Sequence, residues 1–511
     1  MESHNQAVKA ISARIRKFHA RQEPFRIYHG STNSTRPSQY RRSKMVDISG
    51  LTNILKVGTA SKTALVEPNV PMDSLVEATL RHGLVPPVVM EFPGITVGGG
   101  FAGTAGESSS FRYGFFDRTI NWIQMILANG DIVRASSSER PDLFYGAASS
   151  FGTLGVTTLL EIQLIEARTY VALTYHPVAS MSEAQKVFAE ATSDTSSDYL
   201  DGIMFAKDRG VICVGRLTND VDEGVKVQKF TRPRDPWFYI HVDRLMQNQS
   251  SPVTEAVPIV DYLFRYDRGG FWVAKYAFTY FITPFNQITR YILDYFMHTR
   301  VMYHALHQSG LAARYIIQDV AIPYPKAEEF MSYLDSSFRN YPVWLCPLMQ
   351  SGKGIASTHS LQADKTKQKL PEMMLNFGVW GPGPKRGEEF VAWNRQFEGK
   401  VHKLGGQKWL YAHAYYTEEE FNEIYNREDY DALRKKYHAS YLPTVYDKVK
   451  VDIAREQKVL QESWVARLLA VFWSIWPLTG LYGVYQALLG GDYLLPKTSS
   501  SSFTDLSVCA G

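Results

Sequence analysis

A glycine-rich segment between Pro93 and Gly114 holds the residues whose types and spacing point most directly to chemistry. It reads PGITVGGGFAGTAGESSSFRYG and contains seven glycines and a run of three serines. Glycine has no Cβ, so the backbone of such a segment can approach a ligand closely and offer bare N–H groups to an anion. The composition therefore predicts a loop that wraps a pyrophosphate.

Two later segments extend this prediction. Leu127–Val133 reads LANGDIV, which is typical of two strands joined at an Asn-Gly turn. Ser149–Glu161 reads SSFGTLGVTTLLE, a second glycine-containing loop that runs into a β-branched strand. Together the three segments predict one trough shaped for a nucleotide.

The three segments resemble the FAD-binding domain of the vanillyl-alcohol oxidase / p-cresol methylhydroxylase superfamily. Within it, the chain resembles the delta-24-sterol reductase (Diminuto/seladin) family from about Arg26 to Lys448. The segments that carry this closer resemblance are GESSSFRYG (Gly106–Gly114), RPDLFYGAASSFGTLG (Arg140–Gly155), QDVAIP (Gln318–Pro323), YPVWLCP (Tyr341–Pro347) and YAHAYYTEEEF (Tyr411–Phe421). The resemblance implies an α+β fold in which a two-part FAD-binding domain is followed by an α+β substrate domain and a C-terminal apolar segment.

The resemblance also implies which residues contact FAD. The glycine run contains GxGxxG by accident, but a Rossmann loop opens an apolar helix, whereas this one continues into ESSSFRYGFF. The first loop, HGSTNSTR, contributes Gly30, Ser31, Thr32, Asn33 and Ser34. The glycine-rich segment contributes Gly98, Gly99, Gly100, Gly103, Thr104, Gly106, Ser108 and Ser109. The second loop contributes Ser149, Gly152, Thr153, Gly155 and Val156.

Many relatives in the superfamily bond a histidine of the first loop covalently to the flavin. His29 lies before Gly30, earlier than the position of that histidine, so we expect dissociable FAD. The competing interpretation makes His29 the attachment point.

The family resemblance implies a reductase that uses NADPH to reduce FAD and then reduces the 24(25) double bond of a sterol or related triterpenoid. An isolated alkene has no carbonyl to accept charge, so the reaction needs a positioned acid. The titratable or hydroxylic candidates, in order, are Glu107, Asp319 and Tyr415. Each is equally well explained as a hydrogen-bonded structural residue. The alternatives are an FAD oxidase of an alcohol or sugar that uses oxygen, and a flavin-binding scaffold without turnover.

Composition limits the other classes of function. The chain has 511 residues, 45% of them hydrophobic, and a net charge of +4, which is too balanced for a nucleic-acid binder. Its three cysteines are widely spaced, so neither a disulfide framework nor a metal site is predicted. We expect four regions: a lead-in helix (1–25), the FAD-binding domain (26–167), the substrate domain (168–450) and a C-terminal apolar helix with a polar tail (451–511).

The C-terminal region contains a stretch without charged residues, from Leu468 to Gly491, that is long enough to cross a bilayer. More basic residues precede it than follow it, which places the catalytic body in the cytosol, at a membrane that we expect to be the endoplasmic reticulum. The alternative is an apolar helix that lies on or in the body and is broken at Pro477. The sterol reductases that the chain resembles have their membrane helix at the N-terminus, so here the chain departs from the family pattern.

Overall fold

The computed structural model describes residues 1–30, 41–350, 372–384, 387–451 and 475–490. Four of the predicted cofactor residues, Ser31, Thr32, Asn33 and Ser34, lie outside the described residues, as do 468–474 and 491 of the apolar stretch. The described residues form a mixed α and β architecture with two large sheets. This agrees with the predicted combination of helices and sheets.

The N-terminal unit is built on a five-stranded antiparallel sheet of order β3-β4-β8-β6-β7, with two small two-stranded sheets, β1-β2 and β5-β9. Its strands are β1 Arg26–Tyr28, β2 Met45–Asp47, β3 Ile54–Gly58, β4 Thr63–Val66, β5 Leu84–Val85, β6 Ile120–Leu127, β7 Ile132–Ser136, β8 Gly155–Gln163 and β9 Ile165–Glu166. Its helices are α1 Glu2–Arg21, α2 Met72–Leu80, α3 Val97–Gly103, α4 Ser110–Tyr113 and α5 Pro141–Ala147, with a 3₁₀ turn at Phe116–Thr119.

Local sequence patterns explain several of these elements. Helix α1 buries Ile11, Ile15 and Phe18, which recur at helical spacing. Strands β6 and β7 pair in antiparallel register on either side of the Asn-Gly turn, where Gly130 has a φ of 91°. The sequence-based predictions of the lead-in helix and of this hairpin are therefore confirmed.

The second unit is built on a nine-stranded sheet of order β13-β14-β10-β12-β11-β16-β17-β15-β18. Its strands are β10 Tyr170–Val178, β11 Tyr199–Ala206, β12 Arg209–Thr218, β13 Lys226–Val227, β14 Val253–Pro258, β15 Tyr315–Pro323, β16 Val343–Met349, β17 Met373–Pro382 and β18 Gln407–Lys408. Its helices up to the last strand are α6 Met181–Ser193, α7 Phe238–Met246, α8 Ile259–Leu263, α9 Ala274–Tyr280, α10 Gln287–Ile292, α11 Thr299–Ser309, α12 Ala327–Ser337 and α13 Gly387–Lys403. Three 3₁₀ turns lie at Asp294–Met297, Leu311–Arg314 and Tyr324–Lys326.

The remaining helices follow the second sheet: α14 Glu418–Ile424, α15 Arg427–Lys436, α16 Val445–Val449 and α17 Leu478–Leu489. Tyr430 of α15 returns to the N-terminal unit, where its hydroxyl donates to Thr153 Oγ1 at 2.6 Å. The predicted region boundaries near 25, 167 and 450 stay predictions, although the chain passes from the first large sheet to the second between β8 and β10.

Helix α17 is the described part of the apolar C-terminal stretch. It has 12 residues and packs against α11, where a Cβ on Gly483 would lie 2.5 Å from the Ala305 carbonyl oxygen. Among the residues that the structure describes, no helix combines the length and the apolar character needed to cross a bilayer.

Candidate active site

A cavity of about 2650 Å³ lies where the two units meet. Pockets for a single small molecule usually measure roughly 300–1000 Å³. The volume therefore fits a dinucleotide cofactor together with a second ligand. One side is lined by glycines of the N-terminal unit, and these we call the glycine wall: Gly98, Gly99, Gly100, Gly103, Gly106, Gly152 and Gly155.

The glycines of this wall serve two different purposes. A Cβ on Gly100 would lie 2.4 Å from Met90 Cε, and a Cβ on Gly98 would lie 2.7 Å from Pro68 Cβ. These two glycines are required by packing within the protein. A Cβ on Gly103 would meet no atom within 4 Å, although Gly103 lines the cavity. Only at Gly103 does the missing side chain leave space that belongs to the cavity alone.

The glycine-rich segment is not the open loop that its composition predicts. Residues 97–103 form the short helix α3, capped by Thr96, whose Oγ1 accepts from the Gly99 N–H at 3.2 Å. The Gly98 and Gly100 N–H groups donate to the carbonyl oxygens of Pro68 and Thr96 at 2.7 and 2.8 Å. The expectation of bare N–H groups is therefore wrong for these three glycines, whose N–H groups are used within the protein.

The second loop has an unusual backbone. Ser149 and Phe151 have φ angles of 61° and 51°, and Gly152 has a φ of 75°. Left-handed conformations at residues other than glycine carry strain, which concentrates at functional sites. Successive residues of this kind turn N–H groups toward one concave side that suits an anion. The Lys448 ammonium, which also lines the cavity, donates to the Phe151 carbonyl and holds the loop.

Several predicted cofactor residues lie behind the cavity surface and shape it. Thr153 is buried and accepts from Tyr430, the Thr104 carbonyl accepts from Trp409 Nε1 at 2.9 Å, and the Ser108 carbonyl accepts from the Leu200 N–H at 2.7 Å. The predicted residues that are absent from the described cavity lining are Gly30, Thr104, Ser108, Ser109, Ser149, Thr153 and Val156. For all of these residues, contact with the cofactor stays a prediction.

Two carboxyl groups meet at the end of the glycine wall. Glu107 follows Gly106 directly, and Glu91 precedes α3; both are buried and both line the cavity. Burial raises the pKa of Glu107 well above its usual range, and the neighbouring Glu91 carboxylate, which is within hydrogen-bonding reach, raises it further. The environment therefore favours a proton on Glu107.

A buried arginine lies against Glu91 and favours its ionised form. Arg265 Nη2 donates to Glu91 Oε1 at 3.0 Å and to Asp201 Oδ2 at 2.9 Å. Asp201 Oδ2 also accepts from the Tyr266 hydroxyl and from Trp344 Nε1, at 2.7 and 3.0 Å. Burial raises the pKa of Glu91, but Arg265 opposes this increase. The arginine contacts Glu91 directly and thus favours charge on Glu91 over charge on Glu107.

Asp319 is a third buried carboxyl in the same cavity, contributed by β15. Burial raises its pKa to about 6, against hydrogen bonds from Tyr411, Asn376 and Trp380 that lower it. The Asn376 amide donates to Asp319 Oδ1 at 3.0 Å. The negative charge of Asp319 in turn raises the pKa of Glu107. We call Glu91, Glu107 and Asp319 the carboxyl cluster.

The ring of Trp380 reaches Asp319 because of a glycine. Gly378 is the register partner of Asp319 on β17, and a Cβ there would lie 2.5 Å from Trp380 Cη2. Without that Cβ, the indole folds across the strand. Trp344 stacks near it and Phe271 packs at a tilt, with ring centroids 6.0 and 4.4 Å from that of Trp380, and all three rings line the cavity.

Tyr415, the third predicted acid, also lines the cavity but in a different setting. Its N–H donates to both carboxylate oxygens of Glu398 at 3.1 Å, and its carbonyl accepts from Arg395 at 2.7 Å. The described contacts fix the backbone of Tyr415. Of the three predicted acids, Glu107 and Asp319 therefore belong to the carboxyl cluster, and the described contacts of Tyr415 do not include a member of it.

Sequence reasoning missed Glu91, Arg265 and Asp201. Glu91 stands in VVMEF and Arg265 in YLFRY, so each is a lone charge within an apolar or aromatic run. A charge in such a run is costly to bury unless it is paired, which is the available signal. The sequence does not show that Arg265 pairs with Glu91 and Asp201.

Comparison with known proteins identifies relatives of this chain. Residues 6–136 match the FAD binding domain family. Delta(24)-sterol reductase of Arabidopsis thaliana is 31% identical over 458 residues, covering 82% of this chain and 79% of that protein. The proteins of the same name from Homo sapiens and Mus musculus are 28% and 29% identical over 459 residues, covering 87% of this chain and 86% of each protein.

The chain belongs to the Delta(24)-sterol reductase family. The predicted family is thereby confirmed, and with it the prediction of an FAD-dependent oxidoreductase. The cavity fits this cofactor by its volume, by the open space at Gly103 and by the concave backbone of the second loop.

Proposed function

We propose that the protein is an FAD-dependent, NADPH-using reductase of the 24(25) side-chain double bond of a sterol or related triterpenoid. The observation that carries this proposal is Glu107, a carboxyl group with a raised pKa that is buried beside Glu91 in a cavity large enough for FAD and a second ligand. The relatives that span most of the chain carry the name of this reaction.

FAD, once reduced by NADPH, supplies the hydride. The rest of the reaction falls to the protein, because an isolated alkene accepts hydride only as a proton arrives. Glu107 gives its proton to C24, the less substituted carbon. This leaves positive charge at the tertiary C25, where the hydride adds. The Glu107 carboxylate is then reprotonated before the next cycle.

The aromatic part of the cavity suits the positive charge. Phe271, Trp344 and Trp380 form one group of electron-rich rings on the lining. Such rings stabilise a cation by about 0.5–2 kcal/mol each. The Glu91 carboxylate, paired with Arg265, and the Asp319 carboxylate, mostly ionised at neutral pH, favour the same charge.

Asp319 is the second choice for the acid. Its pKa of about 6 leaves it mostly ionised at neutral pH, which makes it a poorer proton donor than Glu107. Tyr415 is the third choice, because the described contacts place it outside the carboxyl cluster.

The glycine wall and the second loop are proposed to hold FAD without a covalent bond. His29 lines the cavity, so the competing attachment point faces the same space. Acid precipitation of the protein separates the two possibilities. Yellow flavin in the supernatant supports dissociable FAD, and flavin that stays on the polypeptide supports attachment at His29.

An FAD oxidase of an alcohol or sugar is the second candidate. It is less supported, because a pocket for polar sugars calls for polar side chains where this cavity has Phe271, Trp344 and Trp380. The apolar substrate class also favours an enzyme that works at a membrane. We propose the endoplasmic reticulum, with the catalytic body on the cytosolic side.

Anaerobic mixing tests the proposed function. NADPH should bleach the oxidised flavin spectrum, and a sterol with a 24(25) double bond should then restore it with formation of the saturated side chain. The matched control is the same sterol already saturated at that bond, which should leave the flavin reduced. Failure of NADPH to bleach the flavin, or recovery only with oxygen, would favour the oxidase.

A further inference from the structure

Helix α17 has the reverse of the usual amphipathic pattern. It buries small residues, Gly480, Gly483 and Ala487, and exposes the large apolar residues Leu481, Tyr485, Leu488 and Leu489. A surface helix of a water-soluble protein buries its large apolar side chains and exposes polar ones. Small residues at the helix contact and large apolar residues outside are typical of helices that face lipid.

Helix α10 shows the same inversion in a distant part of the sequence. It exposes Ile288, Tyr291 and Ile292, while its one charged residue, Arg290, is buried over the rings of Trp237 and Phe285. Ile282, just before α10, is 76% exposed. Apolar side chains therefore point outward from both segments.

Helix α17 packs against residues that precede and follow α10, which brings the two segments to the same side of the protein. Trp476 Nε1 donates to the Tyr280 carbonyl at 2.7 Å, and the Gly480 N–H donates to the Tyr280 hydroxyl at 3.2 Å. At the other end, Ala487 packs with Val301 and Phe296. We call the exposed residues of this surface the apolar patch: Ile282, Ile288, Tyr291, Ile292, Tyr295, Ile475, Trp476, Leu481, Tyr485, Leu488 and Leu489.

The apolar patch is continuous with the wall of the cavity. Phe281, Phe296, Gly480, Leu481 and Val484 all line the cavity, so the elements that carry the patch on one side close the cavity on the other. Trp476 and the three exposed tyrosines resemble the aromatic residues that collect at a lipid headgroup boundary.

We propose that the apolar patch docks the protein on a lipid bilayer in the plane of the interface, and that the sterol passes between the bilayer and the cavity through this face. The route of the sterol rests on the proposed function, whereas docking does not. A bilayer is the occupant that matches a patch of large apolar residues that point outward, with a largely aromatic and aliphatic cavity wall behind it.

Flotation of the full-length protein with phosphatidylcholine vesicles tests docking without any need for activity. The wild type should float, and because the patch is uncharged, high salt should not release it. Two double variants, Ile288→Asn with Ile292→Asn and Leu481→Gln with Leu488→Gln, should each lower vesicle affinity by about tenfold or more. The control is Ile132→Asn with Val227→Asn, residues that are 43% exposed on strands outside the patch and that should not change it.

Flavin content identifies variants that fail to fold. If both double variants fail to fold, the tryptophan fluorescence of the wild type is measured on vesicles of brominated lipid. Bromine should quench the fluorescence of Trp476, and the Trp476→Phe variant should lose that part of the quenching. A wild type that does not float, or that salt releases, would overturn docking. Loss of flotation in the α17 variant alone would also overturn it, because both segments belong to the patch. If flotation is unchanged and both variants instead convert a dimer to a monomer, the patch binds a second copy of the chain and not a bilayer. Normal flotation without alkene reduction would instead count against the proposed function.

Discussion

The glycine wall and the carboxyl cluster line the same cavity but are built in opposite ways. The wall comes from two short segments of the N-terminal unit, one around Gly98–Gly106 and one around Gly152–Gly155, and its members have no side chains. The cluster joins Glu91 and Glu107 of the N-terminal unit to Asp319 of the second unit, and works through side chains whose charges depend on one another. One provides space for a cofactor, and the other provides a proton.

This difference means that substitutions on the two sides should fail differently. A change in the glycine wall should affect binding, because it alters volume. A change in the carboxyl cluster should affect a rate or a pH profile while the cofactor stays bound. The four predictions below test this division.

The largest effect is expected for Gly103→Val, which should abolish flavin retention. A Cβ at Gly103 would meet no protein atom within 4 Å, so we expect the variant to fold and its side chain to fill cavity space. The ratio of flavin absorbance to protein absorbance after purification measures it. Gly399→Val is the matched control, because Gly399 also has open space but lies on α13 outside the cavity lining. Flavin at wild-type occupancy in the Gly103 variant would show that the cofactor binds elsewhere.

Glu107→Gln should slow alkene reduction by about 10²–10⁴-fold, the usual contribution of a positioned acid. Flavin reduction by NADPH should be almost unchanged, because it needs no proton delivered to carbon. Stopped-flow measurement of the two half-reactions separates the effects. Equal slowing of both would make Glu107 a residue that positions the cofactor. No slowing of either would move the acid to Asp319 or Tyr415.

The same division explains what the sequence predicts. Gly103 and Glu107 lie in one segment, so composition and family resemblance lead to both. Helix α3 was missed because glycine favours loops, and here the capping oxygen of Thr96 and tertiary packing override that preference. The partnership of Glu91 with Arg265 was also missed, because it joins residues 174 positions apart. Only the folded chain brings these charges together.

Glu91→Gln should shift a pH profile rather than abolish activity. Glu107 donates in its protonated form, so the rate of alkene reduction should be constant at low pH and fall as pH rises through the Glu107 pKa. Removing the Glu91 charge lowers that pKa, so the fall should begin at lower pH in the variant. Arg265 keeps Asp201 as a partner, which preserves the fold.

The control for this profile is Asp142→Asn, a carboxylate held by Lys436 and outside the cavity lining. Its profile should match the wild type. A fall that moves to higher pH in Glu91→Gln, or does not move, would contradict the assignment of the shared proton to Glu107.

The smallest effect is expected for Gly378→Ala, which tests whether Gly378 affects the Asp319 pKa by leaving room for the Trp380 ring. The added Cβ would lie 2.5 Å from Trp380 Cη2, so the indole must move away from Asp319. Because the Trp380 hydrogen bond lowers the Asp319 pKa, its loss should raise that pKa above about 6. One hydrogen bond corresponds to a shift of about one unit or less. Infrared titration of the carboxyl, with Gly399→Ala as the control, measures it. An unchanged or lowered pKa would mean that Trp380 does not set the charge of Asp319, and that the cluster depends on carboxyl pairs alone.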